Sequence, residues 1–188
     1  MRSIAIAALA LSFLSLSIRA AEPTVAGWDL AGSKPADYSV RTESQARSGK
    51  QCARLASVAS RPTGFGTLMQ MFDAGQYRGK RLRVTGFVKT LDVVDWAGLW
   101  MRVDGVAGQV LAFDNMVNRP IHGTTEWAQY SIVLDVPATA HAVGFGVLLN
   151  GAGSVLVDDF AFDTVGSEVA TTGAHGLPSS PRNLDFEQ

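Results

Sequence analysis

The sequence predicts an all-β fold: a two-sheet antiparallel β-sandwich, or jelly roll, of about eight to nine strands, with a closed β-barrel as the alternative closure of the same strands. Three observations carry this expectation. Apolar and polar residues alternate over many short segments, which is the period of a half-buried strand. Gly, Asn and Asp punctuate those segments at intervals suited to tight turns. Nothing after residue 21 sustains the periodicity of an amphipathic helix.

Taken in order, the chain opens on "MRSIAIAALALSFLSLSIRA", with Arg2, an apolar run from Ile4 to Ile18 and a small residue at Ala20. That is the layout of a secretory signal peptide cleaved after Ala20. The run is shorter than the roughly 20 residues that span a bilayer. The expectation is therefore a signal peptide over residues 1–20 and a mature periplasmic or secreted protein with no membrane span. Residues 21–165 then form one domain, with strand candidates at 38–43 ("YSVRTE", the weakest), 51–58, 66–74, 80–90, 96–105, 109–116, 127–137, 142–150 and 154–165. "DGVAG" (104–108) and "NGAG" (150–153) read as hairpin turns, whereas "NRPIHGTTE" (118–126) reads as a longer loop with polar groups to present.

Alternation also assigns faces. In "WAGLWMRVDG", Ala97, Leu99, Met101 and Val103 make one apolar face, so Trp96, Trp100, Arg102 and Asp104 share the other. In "KRLRVTGFVKT", Leu82, Val84 and Val88 point inward, with Arg81, Arg83, Thr85, Phe87 and Lys89 outward. In "WAQYSIVLDVP" the inward set is Tyr130, Ile132, Leu134 and Val136, and Val133 falls in the outward set. Residues 166–182 lose the alternation, are rich in Gly, Ser, Thr and Pro, and read as a linker. Beyond them "NLDFEQ" (183–188) regains a strand pattern at the C-terminal end of the sequence.

Composition excludes several functions. A formal net charge of -1 leaves no basic footprint for nucleic acid or an anionic membrane surface. Cys52 is the single cysteine, which rules out an intrachain disulfide and a cysteine-based zinc site. There is no "GxSxG", no "HExxH" and no phosphate-cradling glycine loop, so no catalysis is expected. His122 and Glu126 share the 118–126 loop and are the nearest thing to an acid and base pair, or with Asp114 to a metal site; a loop His beside a Glu is more often solvated.

The strings "GFGTLMQ", "YRGKRLRVTGFVKT", "WAGLWMRVDG", "LAFDNM", "RPIHGTTEW", "YSIVLDVP" and "FGVLLNGAGSVLVDDFAF", spread from Gly27 to Val165, resemble a bacterial jelly-roll domain found alone or appended to regulators and hydrolases. That domain in turn resembles carbohydrate-binding modules of the galactose-binding-like type. Such modules commonly open with "NxxFE" and a "GW" and close with "VxxDDFxF". Here the "GW" is Gly27 and Trp28 and the closing strand is Val155 to Phe162, but "NLDFE" stands at residues 183–187 instead of the N-terminus. The resemblance therefore implies that residues 183–188 complete the jelly roll as a displaced first strand. It also implies a structural calcium held by Asp158, Asp159 and Glu187, for carboxylates from distant strands suit a hard cation.

For a ligand, the outward Trp96, Trp100 and Arg102 offer a platform, because aromatic faces stack on sugar rings while charged and amide groups fix hydroxyls. Asp114, Asn115, Arg119, His122 and Glu126 lie in the adjoining strand end and loop and supply polar contacts. Trp100 ranks ahead of Trp96 because it sits mid-strand. The alternative places one Trp beneath residues 91–95 as part of a secondary core. Two readings follow: an exported noncatalytic module that binds a carbohydrate or glycan, or a periplasmic interaction or structural domain whose outward face meets another protein or a second copy.

Overall fold

A computed structural model describes residues 25–173. It has nine strands, joined by turns and three short 3-10 segments. They are β1 (Asp29–Gly32), β2 (Tyr38–Glu43), β3 (Cys52–Ser57), β4 (Phe65–Asp73), β5 (Lys80–Asp104), β6 (Val110–Asp114), β7 (Ile121–Val136), β8 (Ala142–Asn150) and β9 (Ser154–Val165). All pairings between them are antiparallel.

The two expected strands at 80–90 and 96–105 are one, the 25-residue β5. Its first half pairs with β7 and β9, and its second half pairs with β8 and β6. This makes β5 a member of both layers: a front layer of β1, β4, β8, the second half of β5 and β6, and a back layer of β7, the first half of β5, β9, β3 and β2. Hydrogen bonding is thus continuous through one nearly closed nine-stranded sheet, a sandwich with barrel-like continuity.

The crossing point is residues 92–95. Register against β7 slips between Thr90 and Val93 and again between Val93 and Ala97, and Asp92 takes φ 51°, a left-handed conformation that Asp tolerates better than most residues. Val94 N donates to Ala152 O at 2.9 Å, and a Cβ at Gly153 would lie 2.6 Å from Asp92 O, so the "NGAG" turn must approach β5 backbone to backbone.

Burial follows the expected alternation where strands are regular. Leu82, Val84 and Val88 are inside, as are Ala97, Leu99, Met101 and Val103. In β9 the alternation changes phase: Val155 and Val157 face the core, and after Asp158 and Asp159 it is Phe160 and Phe162 that do so. Asp159 has φ 52°, and the pairing with β5 skips between Thr85 and Phe87, which marks a β-bulge at the paired carboxylates. At this end of the core Trp28, Phe72, Phe145, Phe160 and Phe162 form an aromatic cluster, mostly edge to face, with Phe145 and Phe162 centroids 4.8 Å apart.

Several expectations are corrected by the register. β7 begins at Ile121, so the 118–126 loop shrinks to a connection over residues 115–120. β1 was not foreseen, being too short to show alternation. Val133, expected outside, is buried because residues 166–173 fold back along the outer edge of β7: Thr172 N donates to Val133 O at 2.9 Å and Val133 N donates to Thr172 Oγ1 at 2.9 Å. Arg81 secures the same segment through the carbonyls of Ser167 and Val169 at 2.9 and 2.6 Å. The expected signal peptide over residues 1–20, the remainder of the linker and the strand at residues 183–188 lie outside the described residues. Among the described residues no helix is long and apolar enough to cross a membrane.

Candidate functional site

The outer face of the front layer carries a cavity of about 320 Å³, and pairing registers explain who lines it. Residues directly opposite in a ladder share a face. Phe65 on β4, Asn150 on β8 and Trp96 on β5 therefore form one row; Met69, Gly146 and Trp100 form another; and Arg102 stands opposite Phe113 of β6. Phe65, Met69, Leu148, Trp96, Trp100, Arg102, Phe113 and Asn115 all line the cavity.

Trp100 is its floor. The side chain crosses the whole of β8 to reach β4, where its Nε1 donates to Thr67 Oγ1 at 2.7 Å, and that hydroxyl donates to Val147 O at 2.8 Å. This route is open because β8 presents glycines beneath the ring: a Cβ on Gly144 would touch the indole at 3.4 Å. Trp100 is only 7% exposed. It shapes the cavity from below and offers little free ring surface. Phe65 and Phe113, by contrast, are 37% and 42% exposed, and Trp96 is half-buried, so these three rings are the accessible aromatic walls. The expected ranking of Trp100 over Trp96 as a stacking surface is reversed by this burial. Trp100 is thus buried apart from the main core cluster, held against β4 through Thr67.

The polar groups are few. Arg102 is tied to buried Asp104 by a 2.9 Å hydrogen bond from Nη2 to Oδ2; its Nε lies 2.8 Å from Oδ1 in an ion contact out of line for a hydrogen bond. This pair holds the guanidinium at the cavity wall next to Phe113. Asn115 is the other polar group reached from the expected set. It is placed by Asp114, which is buried on the opposite face and accepts from Met116 N at 2.8 Å and from both Nη atoms of Arg119, at 3.2 and 2.6 Å. Asp114 and Arg119 therefore position the 115–120 connection and do not line the cavity.

His122 and Glu126 are not brought together. The His122 ring bonds the Asp95 carbonyl at the β5 crossing, while Glu126 pairs with Lys89 at 2.8 Å on the back layer. Phe65 and Phe113 are the site residues that sequence reasoning passed over. Phe113 stands two positions before Asn115 in an alternating segment, which is the signal that could have placed it on the same face.

Asp158 and Asp159 are spent on the loop before β3. Asp158 Oδ2 accepts from Arg47 N and Ser48 N at 3.0 and 3.2 Å and its Oδ1 from Asp159 N at 2.9 Å; Asp159 accepts from Ser48 Oγ at 2.7 Å and Arg47 Nη1 at 2.8 Å. The hydroxyl of Ser48 and then the Arg47 guanidinium hold the Asp159 carboxyl below its ordinary value. Arg47 also stacks on Phe87, 3.6 Å from the ring centroid. Every carboxylate oxygen here has a donor, and a cation already sits beside Asp159. These donors do not by themselves fit a calcium ion; Glu187 lies outside the described residues, and among those described no group of three or more His, Cys, Asp or Glu is placed to hold a metal.

No protein-family profile matches the chain. An uncharacterized HTH-type transcriptional regulator of Bacillus subtilis (strain 168), YbfP, is 44% identical over 172 residues, which is 89% of this chain. The chain spans 58% of that relative's length. Among solved structures, the CBM22-1 xylan-binding domain of Paenibacillus barcinonensis Xyn10C superposes with a TM-score of 0.55 at 16% identity, covering 77% of this chain and 89% of that one. The C-terminal family 22 carbohydrate-binding module of Clostridium thermocellum Xyn10B gives 0.54 at 12% identity, over 79% and 92%. The enzymatically active domain of bacteriophage CBA120 tailspike protein 4 gives 0.60 at 12% identity, over 74% of this chain but only 20% of that one. At these identities the likeness speaks for architecture, and the chain is a jelly-roll domain with the fold of carbohydrate-binding modules.

Proposed function

We propose that this chain is an exported, noncatalytic binding module that takes a carbohydrate or glycan into the front-layer cavity. The observation that carries the reading is the trio of accessible rings, Phe65, Trp96 and Phe113, around the Trp100 floor, with Arg102 and Asn115 as the polar groups between them. Such a mixture suits a pyranose: its apolar C–H face stacks on a ring while its hydroxyls find a few fixed donors and acceptors. The jelly-roll architecture shared with xylan-binding modules supports the same reading. Export rests on the N-terminal pattern of Arg2, the apolar run and Ala20.

The test is a titration of the mature protein with a panel of plant, cell-wall and microbial oligosaccharides, read by Trp fluorescence and calorimetry. Trp96→Ala and Phe113→Ala should each weaken binding about tenfold, the loss expected for one stacking ring. Glu126→Ala, on the back layer, should bind like the parent. Silence across the panel, or undiminished binding by both ring variants, overturns the proposal.

The 44% identity to a regulator favours a second use of the same cavity, as the ligand-sensing part of a signalling protein. Both uses need a ligand against Trp96 and Phe113. Cell fractionation of the native producer separates them, since only the exported module is found processed outside the cytoplasm.

A further inference from the structure

Among the described residues the back layer is incomplete along one side of β9. On its other side β5 pairs with β9 from Ser154 to Val165, but β3 covers the near side only from Ser154 to Val157. From Asp158 onward that edge has no backbone partner among the described residues. Just inside the edge stand Phe160 and Phe162, with Trp28 and Phe72 beside them, and all four pack against the core cluster while remaining only half-buried. Where the edge opens, a groove of about 320 Å³ runs between Val25, Trp28, Cys52, Asp159 and Phe160. Unpaired strand groups next to half-covered rings are the physical description of a place for one more strand: the edge supplies main-chain hydrogen bonds, and the rings need apolar cover.

We propose that residues 183–187, "NLDFE", are that strand, and that they pair with the open edge of β9 past Asp158. Their alternation fits a one-sided edge, with Leu184 and Phe186 toward Phe160 and Phe162 and Asn183, Asp185 and Glu187 toward solvent. The chain has the reach. Thr172 is pinned to Val133, and the row through Val133 continues to Arg83 of β5 and Asp163 of β9, so the docking edge lies in that same row. From Thr172 it is four inter-strand steps away, about 20 Å. The intervening residues 174–182 extend up to ~30 Å. The added strand lengthens the back layer in line with β3 and covers the aromatic end of the core.

The experiment compares the full chain, a chain lacking residues 181–188 and the full-length double variant L184S/F186S, all without the leader. Hydrogen exchange of the 158–165 segment should be about tenfold faster in both variants than in the full chain. The melting temperature should fall by about 5 °C in both. A synthetic peptide of residues 181–188 added to the shortened chain should restore protection of 158–165. Unchanged exchange and melting in both variants would overturn the proposal. So would a full chain that sediments as a dimer and becomes monomeric on shortening, because the strand would then belong to a second copy.

Discussion

Trp100 and Thr67 meet across an intervening strand, the indole Nε1 of β5 donating at 2.7 Å to a hydroxyl of β4 while β8 passes between them. The bond ties three strands of the front layer together from above and sets the depth of the cavity. Thr67→Val keeps the shape and removes the acceptor, leaving a buried N–H unpaired at a cost of about 2 kcal/mol. The expected result is a melting temperature lower by roughly 5 °C and an altered near-ultraviolet dichroism of the Trp bands. A variant that melts within about 1 °C of the parent would show that the bond is dispensable.

The glycines under that indole should not be equivalent. A Cβ at Gly146 would lie 2.1 Å from Leu68 O, a backbone atom that cannot step aside, whereas one at Gly144 meets only the Trp100 ring edge and Met71 at 3.4 and 3.5 Å. Gly146→Ala should therefore destabilise by about 3 kcal/mol or fail to fold, with Gly144→Ala losing less than about 1 kcal/mol. Chemical denaturation of the pair decides the point, and equal losses would contradict it.

Acid should weaken the fold late. Hydrogen bonds from Arg81 lower the Asp135 carboxyl from its ordinary 3.8, and Ser48 and Arg47 do the same for Asp159. Arg41 and Arg54 lower Glu43 from 4.5. Folded values below the unfolded ones mean that this stabilisation is fully present above about pH 4.5 and is lost as pH falls through the lowered values. At the alkaline end, burial raises the Cys52 thiol from 9.0 and the Tyr38 phenol from 10.0. Their contribution is complete below about pH 9 and declines above it. Melting temperatures across pH 2 to 11 should form a plateau with falling edges at those positions; a steady slope between about pH 5 and 8 would refute the assignment.

Arg47 stands where the resemblance implied a divalent cation. If its guanidinium already satisfies the Asp159 carboxylate, adding millimolar calcium or a chelator should leave the melting temperature of the parent unchanged. Arg47→Ala should lose about 1 kcal/mol, from the Phe87 stack and the exposed ion pair together. A calcium-dependent rise in the parent's melting temperature would show that the carboxylates turn to a metal instead.

Much of the fold was legible because alternation reports burial one strand at a time. Leu82, Val84 and Val88, and again Ala97, Leu99, Met101 and Val103, sit inside where their spacing put them. Alternation failed where the backbone departs from a regular pleat. The β5 crossing at Asp92 and the β9 bulge at Asp159 both rest on left-handed φ values, which two ordinary-looking aspartates do not announce. Of the expected site, Trp96, Trp100, Arg102 and Asn115 do converge, since they lie on one face of β5 and at the end of its neighbour. Asp114 diverges because one residue of offset in an extended chain reverses the side on which a group points, and it draws Arg119 with it; His122 and Glu126 lie on β7, held to the β5 crossing and to Lys89 of the back layer. Phe65 enters the cavity through pairings β4 to β8 to β5, a relation between residues 31 apart in the chain that no local pattern encodes.

By itself, then, the sequence determined the all-β class and the inward set of most regular strands, because these depend on residue type and on a period of two. Only the tertiary structure decided which outward residues share a surface. Registers between distant strands made Trp100 a buried floor and left Phe65, Trp96 and Phe113 as walls; they committed Asp158 and Asp159 to Arg47 and Ser48, and among the described residues they left β9 unpaired on one side past Val157, beside half-covered rings. Those outcomes turn on long-range pairing and on two backbone bends, and the energy that settles them is shared among residues a hundred positions apart.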